Sequence, residues 1–104
     1  NNNNMDNLRD SYKYTYISTQ TSTDVTGMGS ATPVTCKLIR IIVGETAAGA
    51  ITIYDALGAA TTTTVSVLKA SIAEGTYEYG ITFSRGIQVV TAGASKLTVV
   101  WSKV

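Results

Sequence analysis

The chain never sustains a helical hydrophobic period; it breaks instead into short runs in which apolar positions recur every second residue. A helix needs apolar side chains three and four positions apart over about ten residues or more. Here Tyr12, Tyr14 and Tyr16 share a parity, as do Ile51 and Ile53, Val65 and Val67, and Leu97, Val99 and Trp101. Tyr77, Tyr79, Ile81 and Phe83 form a further set, with Gly80 a candidate bulge inside it. A pleated strand sends successive side chains to opposite faces, so each set lines one side of a strand. The Thr61 to Thr64 run fits the same reading, because β-branched residues pack well on a pleated surface.

The alternation predicts strands over residues 11–20, 34–43, 50–55, 61–68, 76–83, 87–91 and 96–103. Gly and Pro punctuate the rest: a loop over 21–32 ending at Pro33, then turns over 44–49, 56–60, 84–86 and 92–95. Residues 70–75 read as one helical turn or an irregular link. Residues 34–43 are apolar on both parities, as expected of a central strand covered on both faces. Short links favour antiparallel pairing, since parallel strands need long crossovers. The expected fold is therefore all-β, an antiparallel β-sandwich or small barrel of about seven to eight strands. It occupies residues 11–104 as a single domain, behind a polar, flexible N-terminal arm over 1–10.

Composition narrows the function by exclusion. The chain has no histidine, which removes the commonest general base and the commonest metal ligand. Cys36 is the only cysteine, so neither an intrachain disulfide nor a cysteine zinc site can form, and its apolar neighbours predict a buried thiol. The acids Asp6, Asp10, Asp24, Glu45, Asp55, Glu74 and Glu78 are scattered, with no EF-hand-like order and no evident paired-carboxylate cleft. A lone turn acid such as Asp55 or Glu45 is a poor calcium site by itself. No glycine pattern cradles a phosphate. The net charge is +1, with the basic residues dispersed, so no nucleic-acid footprint is present. No apolar run reaches the roughly 20 residues of a membrane span. Asn1 to Asn4 lacks the basic and apolar regions of a signal peptide. The expectation is a non-enzyme with no catalytic residues, no cofactor and no metal.

Charged residues make up only 14% of the chain, and an uncharged, Thr-rich surface suits a protein packed against others. Candidate interface residues are Tyr12, Tyr14 and Tyr16, whose stripe faces either the core or a neighbour. Arg40, a charge inside an aliphatic strand, and Trp101, a core residue or an anchor, complete the set.

Residues 37–101 also carry a sequence of segments that resembles a type of small tailed-phage virion protein. The segments are Leu38-Ile39-Arg40-Ile41-Ile42-Val43, Thr52-Ile53-Tyr54-Asp55, Gly75-Thr76-Tyr77-Glu78-Tyr79, Phe83 with Gly86-Ile87, Val89-Val90-Thr91-Ala92-Gly93, and Leu97-Thr98-Val99-Val100. The order carries the resemblance, and the first 36 residues have no counterpart. It implies a capsid decoration or cement protein on the virion surface, bound to the major capsid protein as a homo-oligomer, with a trimer favoured. A tail, neck or fibre protein is the alternative within the virion. A carbohydrate-binding β-sandwich using Tyr54, Tyr77 and Tyr79 is the alternative of another class.

Overall fold

The computed structural model describes residues 12–27, 29 and 31–104, so the expected arm over 1–10 lies outside the described residues. Among the described residues eight strands follow one another: β1 (Lys13–Ile17), β2 (Ser22–Asp24), β3 (Cys36–Glu45), β4 (Ile51–Asp55), β5 (Thr64–Leu68), β6 (Gly75–Phe83), β7 (Ile87–Thr91) and β8 (Lys96–Lys103). They form two four-stranded antiparallel sheets. The front sheet runs β1-β8-β3-β6 and the back sheet β2-β7-β4-β5. The expected antiparallel sandwich is therefore what the chain adopts.

Strand alternation supplies the core. Leu97, Val99 and Trp101 of β8, Cys36, Leu38, Ile41 and Val43 of β3, and Phe83 of β6 point from the front sheet. Ile51, Ile53, Ile87, Val89 and Leu68 meet them from the back sheet. Fully burying one such side chain stabilises the fold by about 1.5–3 kcal/mol.

The double-faced apolar run of β3 has a different cause from the expected one. Leu38 pairs with Trp101, but Arg40 pairs with Val100, so two steps on β3 match one on β8. Ile39 is the extra residue of this β-bulge, and it resets the parity so that Leu38 and Ile41 both face the core. β3 is central in its sheet, yet its outer face is uncovered: Ile42 remains exposed. β6 answers with its own register shift, where Gly80 sits at φ +65°. The bulge anticipated at Gly80 is present.

One strand was not anticipated. β2 lies within the expected 21–32 loop, where Ser-Thr-Asp offers no hydrophobic alternation; it is held by pairing to β7 rather than by its own pattern. β1 and β5 are shorter than expected, and residues 70–74 form no helix but a turn in which Ser71 takes φ +57°.

Two loop contacts tie the sheets at their ends. Asp55, at the end of β4, accepts from the backbone amides of Ser84 (3.0 Å), Arg85 (2.8 Å) and Gly86 (3.4 Å) and from the Ser84 hydroxyl (3.2 Å). It thereby holds the β6–β7 turn. At the other contact, Gly49 lies against the Ala92–Gly93 peptide, and the Ala92 amide donates to the Ala50 carbonyl at 3.0 Å.

Cys36 is fully buried, as expected. Burial first, and the charge of Asp55 second, push its thiol up to about 11. At neutral pH the native protein is expected to resist a thiol-specific reagent, while the guanidinium-unfolded chain reacts with one equivalent. Stoichiometric labelling of the native form would contradict this burial.

Candidate functional site

The outer face of the front sheet is assembled by cross-strand register. Tyr16 stands opposite Thr98, which stands opposite Ile42, which stands opposite Thr76. One step along, Tyr14 faces Val100, Val100 faces Arg40, and Arg40 faces Glu78. On β1 the side turned inward carries Thr15 and the buried Ile17, so the even-numbered tyrosines turn outward. Tyr14 is 74% exposed and Tyr16 58%. Tyr12, just before β1, is also exposed. Of the two readings open for this stripe, the sandwich realises the outward one.

Charges on this face neutralise one another. Arg40 Nε donates to Glu78 Oε2 at 2.9 Å, and Lys96 Nζ lies 2.8 Å from Glu45 Oε1. The Glu45 hydrogen bond and charge raise the Lys96 pKa. Both pairs are open to solvent, so each adds little stability. Their consequence is a face with alternating, self-cancelling charge around an apolar strip. Beside the strip lies a shallow open groove of about 470 Å³, lined by Tyr16, Ile42, Glu45, Glu74, Lys96 and Thr98. The Glu74 carboxylate is held at its rim by the Thr46 amide (3.2 Å).

The sequence-derived candidates divide. Tyr14, Tyr16 and Arg40 come together on this face, and Tyr12 is exposed just before β1. Trp101 does not; it is 6% exposed and packs in the core from β8. Ile42, Val100 and Thr98 are additions: the bulge at Ile39 hides that Ile42 points outward, and Thr98 and Val100 of β8 join the face only through cross-strand register. Asp55 and Glu45 are both already engaged, the first by backbone donors and the second by Lys96.

Two of the three tyrosines proposed for a sugar platform are committed elsewhere. Tyr77 and Tyr79 pack partly buried against the core. The Tyr79 hydroxyl bonds Ser66 Oγ at 2.9 Å, and the Tyr77 hydroxyl donates to the Ala73 carbonyl.

No family model matches the chain, and no curated protein does. Among solved structures, the fold is similar to that of the Drosophila NLP-core. The TM-score is 0.55, with 12% sequence identity over 90% of this chain and 96% of that one. That structure is described as giving insight into pentamer formation and histone binding.

These findings correct the expectation of a tailed-phage protein. The bacteriophage resemblance, the capsid decoration or cement function, the major capsid protein as partner and the favoured trimer are all overturned by a fold shared with a Drosophila pentamer-forming core. The tail and carbohydrate-binding alternatives fall with them. The reason is physical: the segments behind the resemblance are those any such sandwich requires. Tyr54-Asp55 ends β4 because Asp55 clamps a turn, Val89 and Leu97 alternate because they fill the core, and Gly75 opens β6 at φ +148°.

Proposed function

We propose that this chain is a non-catalytic β-sandwich core that assembles with copies of itself through the outer face of the front sheet. The observation that carries this reading is the exposed Tyr14–Tyr16 stripe in register with Val100 and Ile42. Aromatic side chains bury large area at small entropic cost, and they are enriched where proteins meet. A second copy is the occupant the charges favour. Arg40 with Glu78 and Lys96 with Glu45 cancel within the face, so an identical surface meets it with little like-charge repulsion. The groove offers a seat for a side chain of the facing copy. The fold likeness to a core described through pentamer formation supports self-assembly of this kind of sandwich.

Histone binding does not follow for this chain. Histones are strongly basic, and a partner for them needs an acidic surface. Eight basic residues balance seven acidic ones here, and the dispersed acids form no acidic patch in the sequence.

Sedimentation equilibrium of the full chain tests the proposal. The expected result is a mass that is a multiple of the 11.0 kDa chain. The double substitution Tyr14→Ser with Tyr16→Ser should return it to monomer with an unchanged far-ultraviolet spectrum, because both side chains are exposed and support no core contact. A wild-type monomer at the highest soluble concentration would refute self-assembly. An oligomer indifferent to the double substitution would refute this face.

A further inference from the structure

A surface that meets a copy of itself does so about a two-fold axis lying in the contact plane. For a sheet face that axis has two limiting directions. Laid along the strands, it sets β1 of one copy over β6 of the other and keeps like ends of the sheets together. Laid across the strands, it sets β1 over β1 and each end of the sheet over the opposite end. The two choices bring different side chains together, because the ends of the front sheet differ in charge.

Lys37 stands opposite Ser102 near one end. It points outward, since Cys36 and Leu38 on either side of it are buried in the core. Lys103 pairs with Cys36 and Lys13 with Trp101, so three exposed lysines gather at this end. At the other end Glu45 stands opposite Lys96, which answers it at 2.8 Å. Glu74 belongs to the same end: it precedes Gly75, the partner of Val43, and it lines the groove with Glu45 and Lys96. The Thr46 amide fixes the Glu74 carboxylate at 3.2 Å without neutralising it. Among the described residues neither Glu74 nor the three lysines have an ion-pair partner. One end of the face is therefore basic, and the other carries an unanswered carboxylate.

We propose that two copies pair through this face about an axis across the strands, with Lys37 of each seated against Glu74 of the other. This pairing rests on the self-assembly reading above, to which it adds the symmetry and the charged contact. Charge and aromatic surface select the same placement. The Ser102 row, which carries Lys37, and the Lys96 row, which carries Glu45, lie three residues either side of Val99. The Val100 and Thr98 rows, which carry Tyr14 and Tyr16, lie one residue either side of it. An axis at the level of Val99 thus brings Lys37 over the Glu45 and Glu74 end and Tyr14 against Tyr16 of the facing copy at once. The axis along the strands does neither. It sets the lysine end over the lysine end, and Tyr16 and Tyr14 over the Thr76 and Glu78 rows of β6.

The experiment is a charge exchange, read by sedimentation equilibrium of full chains. Lys37→Glu and Glu74→Lys should each weaken association about tenfold or more, since two like-charge contacts replace two attractive ones. Both positions are exposed, so each variant should keep the wild-type far-ultraviolet spectrum. Mixed in equal amounts, the two variants should recover wild-type affinity as a 1:1 pair, because each chain supplies the charge the other has lost. Carbodiimide treatment of the wild type should join Lys37 to Glu74. Their rows lie about 20 Å apart within one chain, so that bond reports two copies. Variants that associate like the wild type, a mixture no tighter than its parts, or cross-linked dimers lacking this bond would overturn the two-fold contact. So would an odd assembly such as a pentamer, which two-fold pairs cannot build. In each of these cases loss of assembly in the Tyr14→Ser, Tyr16→Ser double variant would keep the face itself as the interface. A wild-type monomer would remove both the face and the pairing.

Discussion

Gly49→Ala is expected to destabilise the protein by at least about 3 kcal/mol, the upper end of what overpacking usually costs. A Cβ at Gly49 would stand 2.3 Å from the Gly93 nitrogen, 2.4 Å from the Ala92 carbonyl carbon and 2.8 Å from the Ala92 oxygen. All three are backbone atoms, so no rotamer change relieves the clash. The β7–β8 turn must retreat, and the Ala92 to Ala50 hydrogen bond must lengthen with it. β7 lies in the back sheet and β8 in the front, so the displacement pulls on both. In urea unfolding the midpoint should fall by about 2 M if the slope has the value usual for a small domain. Gly93→Ala is the internal control. Its Cβ would meet the Gly49 nitrogen at 3.1 Å and the Ala47 Cβ at 3.3 Å, contacts that a small shift relieves. Equal losses for the two substitutions would show that the close approach is not what requires glycine at position 49.

Asp55→Ala should cost about 2 kcal/mol at neutral pH. The carboxylate serves three backbone amides and one hydroxyl, and hydrogen bonds to a charged group each contribute about 1.5–3 kcal/mol when shielded. The turn is largely open to water, which satisfies part of what is lost. Partial burial works against the charged form of Asp55, but the Ser84, Arg85 and Gly86 amides and the Ser84 hydroxyl outweigh it and lower the pKa below the ordinary 3.8. A depressed carboxylate stabilises the native state fully above its unfolded value, and the stabilisation fades as pH falls through the folded one. The stability gap between wild type and Asp55→Ala should therefore be widest above about pH 5 and narrow as pH falls below about 3.8. Urea midpoints across that range measure it. A gap independent of pH would mean that the charge of Asp55 contributes nothing to holding the turn.

Sequence periodicity was most informative where a strand has one wet and one dry face. Ile87 to Thr91 and Lys96 to Lys103 match their expected bounds, because Leu97, Val99 and Trp101 fill one side of β8 without interruption. It failed for β2, where Ser22, Thr23 and Asp24 carry no apolar signal and the strand exists through its partner. It also misread β3, since a bulge inverts parity in mid-strand and no local residue type announces one. The same inversion concealed Ile42 on the candidate face. Tyr14 and Tyr16 were visible as a stripe, but which way they point depends on Ile17 entering the core, a tertiary fact. The phage resemblance misled for the converse reason: its segments follow from strand geometry and so identify a type of fold rather than a partner.

The position of β8 between β1 and β3 bears on how the chain reaches this state as it is made. During translation, β1 emerges first and has no neighbour to pair with until the eighth strand follows it out of the ribosome. β3 meanwhile has only β6 beside it, and of all strands adjacent in sequence only β4 and β5 pair with each other. Two of the six strand pairings, β1–β8 and β3–β8, must therefore wait for one late segment, the first closing a loop across nearly the whole domain, which places folding in the slow, millisecond-to-second class of β proteins. Until then the nascent chain carries unpaired strands whose apolar sides are open, and crowded polysomes hold other copies in the same condition. Synthesis rate and chaperone supply, more than final stability, would then set the yield of native protein.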